Sequence, residues 1–366
     1  MKKRFLCLFL GTALAASSLT ACGSENEKTA SAQSQTETGV DESEALTEGQ
    51  ETASGESIQT NGGESISLTS LKHQDETSDT VVYYTSEISP EAMTASYDAL
   101  GEGLTGENIA VKLSTGEPPA SNYLDPDLIA DLVHQVNGTI VENNTAYGGQ
   151  RSSTAMHYQV AEDHGFTEVA DFVVLDEDGS ASLPVEGETR LTENLVGAHF
   201  PEYDGYLVLS HFKGHVMAGF GGAIKNISIG MASQEGKCLI HTAGESYTSP
   251  WGGEQDPFLE SMAEAGKSVV NALDGNILYV SVMNHLSVDC DCDGNPEEPD
   301  MHDIGILAST DPVALDQACV DLVYASSDDT ESLINRMESR NAVHVLEHGE
   351  EIGLGSRTYR MVSIDE

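Results

Sequence analysis

Positive charge is what this chain has least of: 16 Lys and Arg stand against 61 Asp and Glu in 366 residues, a net charge of -45. A surface that acidic repels nucleic-acid phosphates and anionic lipid headgroups, which excludes nucleic acid as a partner and charge as the means of holding a membrane. Long hydrophobic runs are missing too. The first apolar run, Phe5 to Ala16, is too short to persist as a transmembrane helix. Cysteine is sparse at six residues, so no dense disulfide scaffold holds the chain together.

The N-terminus has a clear order. Met1-Lys2-Lys3-Arg4 is basic, Phe5 to Ala16 is apolar, and Leu19-Thr20-Ala21-Cys22 resembles a bacterial lipobox. Residues 1–21 are therefore expected to be a signal peptide, with Cys22 lipidated and the mature chain anchored by that lipid to the membrane, outside the cytoplasm. From Gly23 to about Ser78 the chain is rich in Ser, Thr, Glu, Gln and Gly, too polar to offset its ordering entropy. It reads as a disordered acidic tether, residues 22–78, ahead of one domain over residues 79–366.

In that domain short apolar runs alternate with helical stretches. Strands are expected at Val81–Tyr84, Ile109–Leu113, Thr139–Val141, Phe172–Leu175, Tyr206–Leu209, Ile277–Val282 and Ile304–Leu307. Helices are expected at Pro90–Leu100, Pro126–Val136, Thr154–His164, Phe258–Leu273, Pro312–Tyr324 and Glu331–Leu346, with Asp311 as the cap of the Pro312 helix. This alternation predicts an α/β fold, a mainly parallel sheet with helices on both faces, and an inserted subregion near Glu177–Pro201.

In open parallel sheets ligands sit at the carboxyl ends of the strands. Those ends here carry Lys112 with Ser114-Thr115-Gly116, Glu142-Asn143, His211-Phe212-Lys213-Gly214-His215, Asn284-His285 and Ser309-Thr310-Asp311. Beyond His215 come Gly219, Gly221 and Gly222, then Lys225-Asn226, glycines dense enough to let backbone approach a ligand. Cations this scarce, placed at strand ends and beside glycines, point to a small anionic ligand. Lys213, Lys225 and His211 are the catalytic candidates. Lys112, Gly219, Gly221, Gly222, Asn226, Glu142 and Asn143 are the ligand-binding candidates.

The segments HFKGH, GFGGAIKNISIG, DCDCDGNP and DIGILASTDPVALDQACVDLVY together resemble the DUF362 family, over roughly Val81 to the C-terminus. The resemblance implies a family and no reaction. Many relatives carry an inserted ferredoxin-like segment with four closely spaced cysteines for each iron–sulfur cluster. Here the stretch after His241, TAGESYTSPWGGEQDP, has no cysteine, which argues against such a cluster.

Once Cys7 leaves with the signal and Cys22 is lipidated, Cys238, Cys290, Cys292 and Cys319 remain; Cys319 falls on an apolar helical pattern and reads as core. Three readings of the Asp289-Cys290-Asp291-Cys292-Asp293 run stay open. Cys290 and Cys292 with His285, or with His211 and His215, would hold a divalent metal such as zinc or iron. Asp289, Asp291 and Asp293 are spaced as in a calcium loop. A Cys290–Cys292 disulfide, or bridges to Cys238 and Cys319, is the third. Two functions follow: a metal-dependent, redox-capable enzyme at the cell surface, or a non-catalytic ligand- or calcium-binding lipoprotein.

Overall fold

The computed structural model describes residues 57–365 apart from Glu102, Glu188 and Thr189; the expected signal, Cys22 and the tether up to residue 56 lie outside the described residues. An eight-stranded sheet runs through the domain in the order Arg360–Ser363, Val81–Thr85, Gly305–Ser309, Ile277–Met283, Gly205–His211, Ile109–Lys112, Gly138–Glu142, Phe172–Val174. All neighbours pair in parallel except Gly305–Ser309, which is antiparallel to both strands beside it.

The strands read as near-continuous apolar runs because both faces are covered. Side chains alternate across the sheet, so in the central strand Leu207 and Leu209 join one core with Ile129, Leu132 and Met93 from the helices Pro126–Gln135 and Pro90–Asp98. Tyr206 and Val208 enter the opposite core with Leu259 and Met262 of Gln255–Ala272 and Leu315 and Leu322 of Pro312–Ala325. Three helices start from a capping residue followed by proline: Ser89, Asp125 and Asp311 each accept an N–H of the first turn.

Two expectations need correction. Residues 57–78 are part of the fold: Ser57–Gln59 and Ser65–Ser67 form a hairpin, Ile58, Ile66, Leu68 and Leu71 are buried, and the His73 backbone and ring bond Asp321. The polar composition of the segment hid four apolar anchors. The predicted helix Glu331–Leu346 is two, Glu331–Ser339 and His344–Glu351, separated where Asn341 takes φ +49°. In the Glu177–Pro201 subregion Ser180–Pro184 pairs only with Glu193–Gly197, apart from the main sheet.

Candidate functional site

Three adjacent parallel strands end in an ionisable residue: Lys112, Glu142 and His211. Beyond them the chain closes a cavity of about 80 Å³, space for several water-sized groups. Its wall carries Lys112, Arg151, Lys213, Lys225 and Lys237, five of the chain's 16 basic residues, with Glu142 and Asp291 as the only carboxylates among its described lining. Ser309-Thr310-Asp311, expected at this edge, is at the other: the antiparallel strand sets Gly305 beside Met283 and Ser309 beside Tyr279. Asp311 instead caps its helix and bonds the Ser356 amide.

Both carboxylates are already committed. Glu142 accepts from Arg151 Nη1 at 2.7 Å, from the N–H and hydroxyl of Thr115, and bonds His157 Nε2 at 2.9 Å. Burial alone would raise its pKa, but Arg151 and His157 hold it well below the usual range. Asp291 accepts from Lys213 Nζ at 2.6 Å and bonds His211 Nδ1 at 2.7 Å; against its burial, Lys213 and His211 hold it low. His211 Nε2 bonds the Asn284 carbonyl at 2.6 Å, so neither ring nitrogen is free for a metal. The catalytic expectation for His211 thus becomes one of fixing Asp291.

The remaining lysines form no ion pair among the described residues. Lys112 Nζ donates to the Leu113 carbonyl and to Asn226 Oδ1, and Lys237 Nζ to the Ala232 carbonyl. Burial is the main cause that drops Lys112 and Lys225 to about 7 and Lys237 to about 8; the nearby cations push the same way, while Glu142 opposes at Lys112 and Lys237, Asp291 at Lys225 and Asp176 at Lys237. Asn226 also donates through Nδ2 to Leu209 O and Ser210 Oγ, which makes it the brace of Lys112. Asn143 Nδ2 donates to the Gly230 carbonyl and its Oδ1 is buried without a partner among the described residues.

The glycines divide. Gly221 lines the cavity beside the Lys213 and Lys225 stems. Gly222 also lines it, yet its lack of Cβ serves Asp316, whose carboxylate approaches to accept the Ala223 and Ile224 amides. Gly219, at φ +84°, turns the chain against Ala342 and does not reach the cavity. Arg151 and Lys237 were missed by the sequence reading, although the scarcity argument that singled out Lys112, Lys213 and Lys225 applies to them equally.

Cys290 and Cys292 are joined in a disulfide, while Cys238 and Cys319 are free and buried. One ring nitrogen of His215 and the two sulfurs lie within 4.8 Å of one another, a group that could hold a metal; Glu177, Asp178 and His199 form another. In the state seen here the sulfurs are bonded to each other, and His215 Nδ1 accepts the Met217 and Ala218 amides. The calcium-loop reading fails: Asp291 points inward to Lys213, Asp289 lies against Arg336, and exposed Asp293 accepts from the Asn295 amide. His285 is exposed and belongs to neither group.

Two solved structures are similar to the chain at low identity. The lactate racemase apoprotein from Thermoanaerobacterium thermosaccharolyticum matches at TM-score 0.41 and 14% identity, covering 74% of this chain and 63% of that one. A protein from Thermotoga maritima matches at TM-score 0.36 and 13% identity, covering 72% and 58%. The chain thus spans less than two thirds of either. Among curated proteins none matches. The model of a domain of unknown function, DUF362, matches residues 109–321, more than half of the chain and all the strand ends that build the cavity. With the motifs at Lys213, Lys225 and Cys290 inside that span, the chain belongs to the DUF362 family.

Proposed function

We propose that this chain is an enzyme acting on a small carboxylate- or phosphate-bearing anion held in the cation-lined cavity, with Lys225 as its proton-transfer group. One observation carries the reading: in a chain of net charge -45, Lys112, Lys225 and Lys237 converge on one interior cavity with no carboxylate paired to them among the described residues. Burying an ammonium without a partner costs free energy, and a ligand's negative charge is what would offset it. Lys225, held at about 7, is suited to give and take a proton near neutral pH. Isothermal titration with inorganic phosphate and with oxalate tests the binding step. Saturable binding of either that Lys225→Met weakens supports the reading; no saturable heat from both rejects it.

For location, the reading is a lipoprotein anchored outside the cytoplasm through Cys22, which rests on the order of Lys2-Lys3-Arg4, the apolar run and Leu19-Thr20-Ala21-Cys22. Cys22→Ala is expected to move the protein from the membrane to the soluble fraction; unchanged fractionation would reject the anchor. For metal, the reading is that only the reduced Cys290 and Cys292, as thiolates, would take up a soft divalent ion such as zinc or iron. Elemental analysis of reduced and oxidised protein after metal loading is expected to find the ion in the reduced form alone.

A further inference from the structure

The Cys290–Cys292 disulfide encloses a single residue, Asp291. A cross-link stabilises chiefly by closing a loop in the unfolded chain, and least for the shortest loops, so stability is a poor reason for this one. The loop is held without it: Asp291 O accepts from the Glu117 amide at 2.8 Å and from Arg151, and the Ala120 amide donates to Gly294 O. The bond lies in a wall. Cys290, Cys292 and Tyr147 line both the cationic cavity and an outer hollow of about 260 Å³ that also carries His215, Val216 and the exposed Trp251.

We infer that Cys290–Cys292 is a thiol–disulfide exchange site that takes two electrons from a small uncharged dithiol entering through the outer hollow. The two sulfurs are unequal. Cys290 is buried at 5% exposure, whereas Cys292 is only partly buried. A thiolate of the dithiol attacks Cys292 Sγ, a mixed disulfide forms, the Cys290–Cys292 bond breaks, and its electron pair leaves on Cys290 Sγ. That sulfur already faces the Cys292 amide N–H at 3.1 Å and shares the cavity with Lys213, Lys225 and Arg151, groups that favour negative charge there. The second thiol of the dithiol then attacks its own mixed-disulfide sulfur, releasing Cys292 and a cyclic disulfide. The dithiol's two protons end on the cysteines, so the exchange balances with no further reactant. Asp289 and Asp293 at the hollow disfavour an anionic dithiol.

The test is residue-resolved mass spectrometry of alkylated native protein before and after dithiothreitol, with dimercaptosuccinate as the anionic counterpart. Buried Cys238 and Cys319 are the internal references. Expected are Cys290 and Cys292 unreactive before treatment and both alkylated after it, while Cys238 and Cys319 stay unreactive and the circular dichroism is kept, and slower reduction by dimercaptosuccinate. Single variants resolve the order: the thiol left in Cys290→Ser should react with dithiodipyridine on the order of tenfold faster than that left in Cys292→Ser. Reduction of Cys290 and Cys292 only after denaturation, both of them found as free thiols in the air-exposed protein, or a faster-reacting Cys290 would each overturn the proposal. The dithiothreitol and dithiodipyridine readouts use uncharged reagents and no anionic ligand, so their failure is separate from failure of the anion titration.

Discussion

Cations inside the strand-end cavity and cations elsewhere on this molecule are treated differently. Away from the cavity Arg190 lies against Glu260, Arg336 against Asp289, Arg357 against Glu347 and Lys267 toward Glu186, as a chain with this excess of acid readily permits. In the cavity Lys213 and Arg151 have carboxylates, but Lys112, Lys225 and Lys237 meet only carbonyls and amide oxygens, or no partner among the described residues. Acid is abundant enough to have paired them. The fold instead spends its two local carboxylates on Arg151, Lys213 and two histidines, leaving a concentrated positive field where the sheet ends.

The comparison breaks most sharply where a buried pair is opened. Glu142→Gln takes the carboxylate from His157 and from Arg151 Nη1, leaving Arg151 only the Glu117 carboxylate at 3.3 Å, and removing one partner of a buried ion pair costs about 3–5 kcal/mol. Urea denaturation measures this. A loss below about 1 kcal/mol would mean the cavity's cations are solvated far more than their burial indicates.

Lys225→Met sharpens the contrast in the opposite direction. Its ammonium titrates at about 7 in the fold against an ordinary 10.5, so between those pH values the unfolded chain binds more protons. Stability of the native protein is therefore expected to climb as pH rises from about 7 toward 10, and Lys112 and Lys237 contribute with the same sign. Below about 7 the burial cost is fully present. Lys225→Met should gain about 1–2 kcal/mol at pH 7, flatten part of that climb, and lose phosphate or oxalate binding by at least about tenfold. A variant that is destabilised at pH 7 would show that Lys225 is compensated after all.

Anion affinity should carry the same protons. With Lys112 and Lys225 near 7, binding an anion favours their charged forms, so complex formation takes up protons and weakens as pH rises from 7 to 9. Titrations in buffers of different ionisation enthalpy read the proton count directly. A pH-independent affinity across that range would assign the binding to Arg151 and Lys213 alone.

Much of this was legible before the fold. Apolar runs bounded by glycine and polar residues placed the strands, and Ser89-Pro90, Asp125-Pro126 and Asp311-Pro312 placed helix starts, because each signal is local. The scarcity of cations pointed to Lys112, Lys213 and Lys225. What stayed hidden depends on contacts distant in the chain. Nothing within Gly305–Ser309 announces its antiparallel pairing, which moved Asp311 to the far edge. Asp291 could not be told from a calcium ligand until His211 and Lys213, some eighty residues away, were beside it. Gly222 lines the cavity, but its closest side chain, Asp316, lies in a later helix and left no local trace in the sequence.

The smallest expected effect is the control that gives the others meaning. Lys267 and Glu186 approach to 3.9 Å, and the Glu186 side chain is 70% exposed, so water screens the pair and the long side chains lose entropy in holding it. Glu186→Gln should change stability by less than about 0.5 kcal/mol and leave phosphate or oxalate affinity unaltered. Lys267 Nζ meanwhile keeps its bond to the Ile352 carbonyl, so the substitution does not leave a buried donor bare. Thermal unfolding at low and high salt checks both points. Were this exposed pair to matter as much as Glu142, the response to charge removal would reflect the net charge of -45 as a whole, and the distinction between paired surface cations and unpaired cavity cations would lose its force.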